Sequence, residues 1–295
     1  MPRSILVIDT PSVKRYVFGT DALAEIRGAS ALLDTLNRQR TPEKIEEIPG
    51  ARKIYANGGS AQFMIEAERD VIERQARALQ RLYREETASG ATIAYGIGDY
   101  PNHVPYPEAL RQAFDDLRAQ RERLLRVPPL DTFPLVKECE SCSLRPVEKR
   151  VRLPEGKITW LCAVCARKRR AKHELFGKAG VWKEFEDHAG RRIERIESLQ
   201  ELGEWIAIVY ADGNSMGKWV KSLPSPESFS IFSKTVDAAI RTACFETLLE
   251  IFGTEGVKAD ILLLGGDDLI VAIEANHALD FAYEVAKRFS EATRI

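Results

Sequence analysis

Short β-branched runs alternate along the chain with longer stretches whose apolar residues recur at helical spacing. The run "SILVIDT" (4–10) reads as a buried strand, with Asp9 near its end. After a loop containing Pro11, the residues Leu23, Ile26, Leu32, Leu33 and Leu36 predict a helix over 21–39, with Asp21 near its start. Two apolar runs, 53–56 and 61–65, flank "NGGS" (57–60), a hairpin signal because Asn-Gly readily supplies positive φ. An amphipathic helix over about 67–88 and a strand over 91–98 complete the order β-α-β-β-α-β.

The last third repeats much of this order. A strand over 204–211 runs up to Asp212, a long helix covers 226–253, "ADILLLGGDDLIVAIE" (259–274) is strand, turn, strand, and a helix follows over 276–293. The interval from Asp9 to Gly58 nearly equals that from Asp212 to Gly265. Two copies of one supersecondary unit explain this more economically than chance, the second copy lacking its final strand. The expected division is a degenerate first unit at 1–100, a connector at 101–203 and a second unit at 204–295. Within the connector, 107–126 predicts a charged helix, 127–134 a proline-rich link, and about 166–202 a second charged helical stretch.

The cysteines change the picture of the connector. Cys139 and Cys142 form one CxxC pair, Cys162 and Cys165 another, about 20 residues on, which fits a four-cysteine zinc ribbon spanning 139–165. Two such knuckles supply four thiolates to one tetrahedral ion and leave no open position, so the Zn²⁺ is expected to be structural. Ten Lys and Arg residues lie between Arg145 and Lys172, either a contact surface for phosphates or an acidic partner, or simply a solvated module. Cys244, alone in a helix, reads as a small core residue.

Composition adds limits. The chain has 295 residues, 44% hydrophobic and 29% charged, with a net charge of -1, so nothing global draws it to nucleic acid or membrane. There is no apolar run long enough to span a bilayer, and the N-terminal apolar segment is too short for a signal peptide. Paired CxxC spacing suits a reducing compartment, and a cytoplasmic location is expected.

"LLLGGDDLIVAI" (262–273) holds the candidate chemistry. At a strand-turn-strand tip the glycines Gly265 and Gly266 let the backbone turn and leave room for a ligand, while Asp267 and Asp268 diverge. Asp212 ends the neighbouring strand. Three such carboxylates repel one another unless a divalent cation neutralises them, and hard oxygen ligands suit Mg²⁺ or Mn²⁺ carrying a nucleoside triphosphate. The bland alternative is an exposed polar turn, although Asn-Gly or Asp-Gly would serve a turn better. "GNSMGK" (213–218) fails as a P-loop, having too few residues between its glycines and Trp219 after the lysine. It also fails as a calcium loop. What remains is a loop whose amides at Gly213, Asn214 and Gly217, with Lys218, could meet a triphosphate. The first unit's tip, with Gly58 and Gly59, carries no acids; it suits packing on the second unit or binding a second nucleotide.

"YADGNSMGKW", "LLLGGDDLIVAI", the four-cysteine insertion before them and "RGASALL" (27–33) in the degenerate copy together resemble the large polymerase-cyclase subunit of type III CRISPR effector complexes. The resemblance spans most of the chain and is weaker in the first 100 residues. It implies an α+β fold of two ferredoxin-like palm domains with an inserted zinc ribbon, the second palm being active. By that resemblance Asp212, Asp267 and Asp268 hold the Mg²⁺ ions, and ATP molecules are joined into cyclic oligoadenylates. The attacking hydroxyl comes from an ATP near the first palm, where Ser30 touches an adenine. Diguanylate cyclases share the palm, but the Glu-Phe of their tip is missing. Two departures stand out: no nuclease domain precedes the first palm and no His-Asp dipeptide occurs, and the chain ends before the second palm's last strand, as a fragment or stand-alone relative would.

The leading expectation is thus a metal-dependent nucleotidyltransferase in antiviral defence, with ATP, RNA and effector subunits as partners, no membrane, and self-association open. The alternative is a non-catalytic nucleotide- or RNA-binding scaffold subunit; a third reading is a template-directed polymerase or a cyclase of another nucleotide.

Overall fold

The computed structural model describes residues 2–123, 136–153 and 156–294. The chain opens with β1 (Arg3–Asp9), α1 (Val13–Val17) and α2 (Leu23–Thr35), which runs through a wide π-type turn (Leu36–Arg40) into α3 (Thr41–Ile45). β2 (Arg52–Asn57), β3 (Ser60–Glu66), α4 (Arg69–Glu86) and β4 (Ala94–Asp99) follow. The strands form one antiparallel sheet in the order β2-β3-β1-β4, the ferredoxin-like arrangement. β1 is central, and the alternation of its side chains sorts them between two cores. Leu6 and Ile8 face the helices α2 and α4; Ile5 and Val7 face α5 (Tyr106–Arg123). That second packing needs Gly96 and Gly98, since a Cβ on either would overlap the α5 backbone at Ala113 or Ala109.

The middle of the chain holds a hairpin of β5 (Lys149–Arg152) and β6 (Ile158–Leu161), then α6 (Ala163–Leu175) and α7 (Val181–Ala189). The charged connector over 166–202 is therefore not one continuous helix: glycines 177, 180 and 190 adopt positive φ and break it. The proline-rich link at 127–134 and the end of the charged helix before it lie outside the described residues.

The second sheet is built from β7 (Ile206–Ala211), α8 (Met216–Ser222), α9 (Pro226–Phe252), β8 (Ala259–Gly265), β9 (Asp268–Glu274) and α10 (Ala278–Thr293). Its antiparallel order is β7-β9-β8, the first sheet's order without the β4 position. β7 exposes Ile208 and Tyr210, whose counterparts on β1, Ile5 and Val7, are covered by α5. The short helices α1 and α8 escape the sequence pattern, being only five and seven residues long. They are themselves part of the repeat: Ser12 and Ser215 each stand three residues after the strand-end aspartate, each in left-handed backbone at φ 61, and each starts one of these helices.

One buried contact locks the palms together, and another seats the middle segment on the first palm. Arg27 of α2 and Asp260 of β8 form a buried ion pair at 2.9 Å, completed by the Trp182 indole N–H on Asp260 and the Ile196 carbonyl on Arg27. α6 lies so close to α2 that a Cβ on Gly28 would overlap the Lys168 carbonyl. No helix among the described residues is long and apolar enough to cross a membrane.

Candidate active site at the palm interface

The two hairpin tips meet. Gly58, at φ 59, sits against Gly265 and Gly266, so that the carboxylate-bearing turn of the second palm rests on the acid-free turn of the first. Asp237 of α9 accepts a hydrogen bond from the Gly266 amide at 3.3 Å, and Arg241, one helical turn on, donates to the Leu264 carbonyl at 3.3 Å. Arg241 is in turn bound to Glu184 of α7, and Glu184 to Arg38, so a chain of alternating charges from both palms holds the turn.

At the tip, Asp268 opens β9, and Asp212 follows β7 on the adjacent strand, where Ala211 pairs with Leu269. Asp212 and Asp268 lie within hydrogen-bonding reach of each other; partial burial and then the Asp268 charge raise the Asp212 carboxyl above the usual carboxylate range. Asp267 is raised chiefly by burial, against which hydrogen bonds from its own amide and that of Gly213 work, with Asp212 and Asp268 raising it further. Gly213 packs directly on it, a Cβ there falling 2.8 Å from the Asp267 carboxylate. The three aspartates thus form one electrostatic cluster, but they do not converge as the cysteines do: among the described residues the one set of donor atoms drawn to a common point is the four thiols. A divalent cation suits the donor set, because it would relieve the repulsion that raises Asp212.

A residue without a sequence signal completes the cluster. Lys14 of α1, from the other palm, reaches the Tyr210 hydroxyl at 2.5 Å and Asp268 at 3.1 Å, while Tyr210 itself donates to Asp268 at 3.1 Å. Partial burial works against the Lys14 charge, yet these two hydrogen bonds outweigh it and raise its pKa.

Beside the tips a cavity of about 300 Å³ opens between the palms. Ser30, Gly58, Gly59, Gly265 and Asp268 line it, as do Asp9, Asp34 and Asn37. Asp9 is paired with Arg121 at 3.3 Å and turned to that use. Asn37 accepts from the Thr10 and Tyr83 hydroxyls at 3.2 and 2.7 Å, which leaves its amide nitrogen as donor. Asp34 is one turn beyond Ser30 on the same face of α2, and burial pushes its carboxyl up to about 6. Asn214, Gly217 and Lys218 are not among the cavity's lining; they lie on the exposed loop and α8, where a Cβ on Gly217 would meet open space.

The cysteine module has the geometry of its predicted metal site. The four Sγ atoms lie within 4.8 Å of one another, none is disulfide-bonded, and the Cys165 amide donates to Cys162 at 3.4 Å as Cys162 caps α6. Tetrahedral Zn²⁺ with bonds of about 2.3 Å fits sulfurs spaced this way. Cys244 is buried in the second palm's core.

Two facing palm-like sheets, a carboxylate hairpin on one of them and a four-thiol module define a protein with a nucleotidyltransferase-like fold. Residues 205–295 match the family model for the second palm domain of Cas10/Cmr2, which bears out the resemblance read in the sequence. No curated protein matches the sequence. Among solved structures the fold resembles Csm1 of T. onnurineus, with a TM-score of 0.65 and 13% identity over 99% of this chain and 47% of that one. The Csm1-Csm4 cassette in complex with pppApA gives 0.64 and 12%, over 99% and 48%. A Csm1-Csm4 subcomplex of the type III-A CRISPR-Csm interference complex gives 0.63 and 12%, with the same coverage. The chain spans about half the length of these Csm1 chains.

Proposed function

We propose that the chain is the two-palm part of a type III CRISPR effector subunit and joins ATP into cyclic oligoadenylate-type messengers. The observation that carries this reading is the juxtaposition of the aspartate hairpin with a cavity built by both palms. Asp212, Asp267 and Asp268 would hold Mg²⁺ or Mn²⁺, which when bound supplies charge neutralisation for the triphosphate. The cavity side of the site would seat the nucleotide that provides the 3′-hydroxyl, with Ser30, Gly58 and Gly59 against it. Tip-to-tip packing of Gly58 on Gly265 holds that seat in fixed register with the acids, so that attacking and leaving groups are positioned before reaction. The Gly213 amide orients Asp267, and Lys14 lies where it can pass from Asp268 to a phosphate. The loop at Gly213, Asn214, Gly217 and Lys218 is open to the leaving pyrophosphate.

Solved relatives with cA3, cA4 and AMPPNP support this substrate class, and their pairing with Csm4 supports a partner subunit of that kind. The division at residues 100 and 203, structural Zn²⁺ on Cys139, Cys142, Cys162 and Cys165, and a cytoplasmic setting belong to the same reading. The non-catalytic scaffold reading has one observation in its favour, the Lys14 ammonium on Asp268. Incubation with each of the four nucleoside triphosphates and Mg²⁺ or Mn²⁺, followed by mass spectrometry, decides between them. Pyrophosphate and oligoadenylates from ATP, lost when Asp267 and Asp268 are both replaced by alanine, are expected; equal turnover by that double variant sinks the proposal.

A further inference from the structure

The ten basic residues of the cysteine segment fall into two groups. Those on α6 are engaged within the molecule: Arg167 with Glu86, Lys168 buried on the Tyr16 carbonyl, Arg169 with the buried Glu25, Arg170 with Glu174. The first three fasten the module to the first palm, while Arg170, 70% exposed, pairs along α6 itself. Those on the hairpin are different. Arg150 and Arg152 are exposed, and no ion pair joins either to a carboxylate among the described residues.

The hairpin register places Arg150 opposite Trp160 and Arg152 opposite Ile158, so these four side chains share one face, while Thr159 and Leu161 on the other face are buried. Trp160 keeps 39% of its surface in solvent. Lys137 stands 4.9 Å and Arg150 5.9 Å from its ring centroid. The strand beneath the ring is pinned, for Glu140 accepts from the Trp160 amide at 3.0 Å and the Thr159 hydroxyl at 3.1 Å, and also binds Lys137 at 2.7 Å. A held, exposed indole with cations beside it is the pairing that single-stranded nucleic acid requires: a flat surface for a base and positive charge for the flanking phosphates. An acidic peptide would use the cations and leave the ring without a partner, and a duplex hides its base faces.

We propose that the outer face of the β5–β6 hairpin, with Trp160 as stacking platform and Arg150, Arg152 and Lys137 as phosphate contacts, is a docking site for single-stranded nucleic acid. It stands apart from nucleotidyl transfer, and its test does not read that activity.

Fluorescence anisotropy with a labelled oligouridylate and the full chain tests it. Trp160→Ala is expected to weaken binding by at least about fivefold, the low end for one stacked base, and Trp160→Phe to restore most of it. Arg150→Gln with Arg152→Gln should lower the slope of log affinity against log salt by roughly 1.4, the single-strand value for two phosphates. Arg170→Gln should change neither. Zinc content of each variant reports whether the module folds; if Trp160→Ala loses its zinc, the arginine pair and Trp160→Phe carry the test. Absence of saturable binding at low salt overturns the proposal. So does equal affinity for single strand and duplex with no dependence on Trp160, the behaviour of a plain polyanion or acidic-protein surface.

Discussion

Gly58 and Gly265 meet across the two palms, and a Cβ on Gly58 would stand 3.0 Å from both the carbonyl carbon and the oxygen of Gly265. Neither neighbour is a side chain that can swing away, and Gly58 is also in left-handed backbone. Gly58→Ala is therefore expected to cost about 1–3 kcal/mol, measured by denaturant unfolding, and to separate the seat from the acids. Gly217→Ala, with open space around its Cβ, should be neutral or stabilise α8 by up to about 1 kcal/mol.

The Arg27–Asp260 pair makes a sharper claim about how the halves are joined. Burial raises the Asp260 carboxyl, and Arg27 together with Trp182 counters it. Asp260→Ala strands the guanidinium of Arg27 in the core and is expected to cost about 3–5 kcal/mol. Arg27→Met alone should do similar harm by stranding Asp260. Replacing both, with Asp260→Leu, should cost less than the sum of the single changes, because no unpaired charge remains. An additive cycle in chemical unfolding would show that the pair does not act as a unit.

The strand and helix pattern, the repeat and the cysteine module were legible because each depends on local spacing: period two in β1, positive φ at "NGGS", CxxC knuckles. α1 and α8 were not, being too short for periodicity to register. The charged connector is helical over α6 and α7, and its breaks fall at glycines 177, 180 and 190, which take positive φ. Asp267 and Asp268 stood out by their unusual setting, whereas Lys14, Asp237 and Arg241 act through contacts made only when distant segments pack. Gly28 lies inside "RGASALL", and the structure assigns it to helix packing against α6.

Asp34 gives a pH dependence. Its carboxyl is raised from 3.8 to about 6, by burial first, with Arg38 and Arg241 opposing. A folded-state value above the unfolded one means that folding favours the protonated acid. That contribution is complete below about pH 4 and is lost as pH rises through about 6. Asp34→Asn, which stays neutral, should match the native chain near pH 4. It should exceed it at pH 7 by about 1–2 kcal/mol, since the side chain keeps 22% of its surface in water and part of the shift is screened. Unfolding free energies of both chains across this range provide the check; parallel curves would show that Asp34 does not titrate there.

On the zinc reading of the proposed function, the four-cysteine module should be worth more to the first palm than its size implies, because α6 contributes to the same core as α2. Cys139→Ser or a strong chelator is expected to release a single zinc ion per chain and to destabilise the first palm by several kcal/mol, a fraction of the roughly 10–16 kcal/mol available from such sites. Gly28→Ala should give at least about 3 kcal/mol of the same destabilisation with the metal still bound, since the added methyl overlaps the Lys168 carbonyl. Zinc content measured beside thermal unfolding separates the two causes.

On the proposed function a divalent cation would compete with Lys14 for the Asp268 oxygen that Lys14 holds at 3.1 Å. Lys14 is nearly half exposed, so its ion pair contributes little, about 0–1 kcal/mol, and a cation can displace it. On the proposed function the displaced ammonium is then free for a phosphate. Lys14→Met should therefore tighten Mn²⁺ binding to the nucleotide-free protein by up to about fivefold, the equivalent of 1 kcal/mol, as read by electron paramagnetic resonance of the free ion. The same variant should weaken ATP in the presence of the metal, raising KM more than it lowers kcat. Weaker Mn²⁺ binding would mean that Lys14 orders Asp268 for the metal instead of holding its place. Unchanged binding would mean that the cation does not use the oxygen that Lys14 covers.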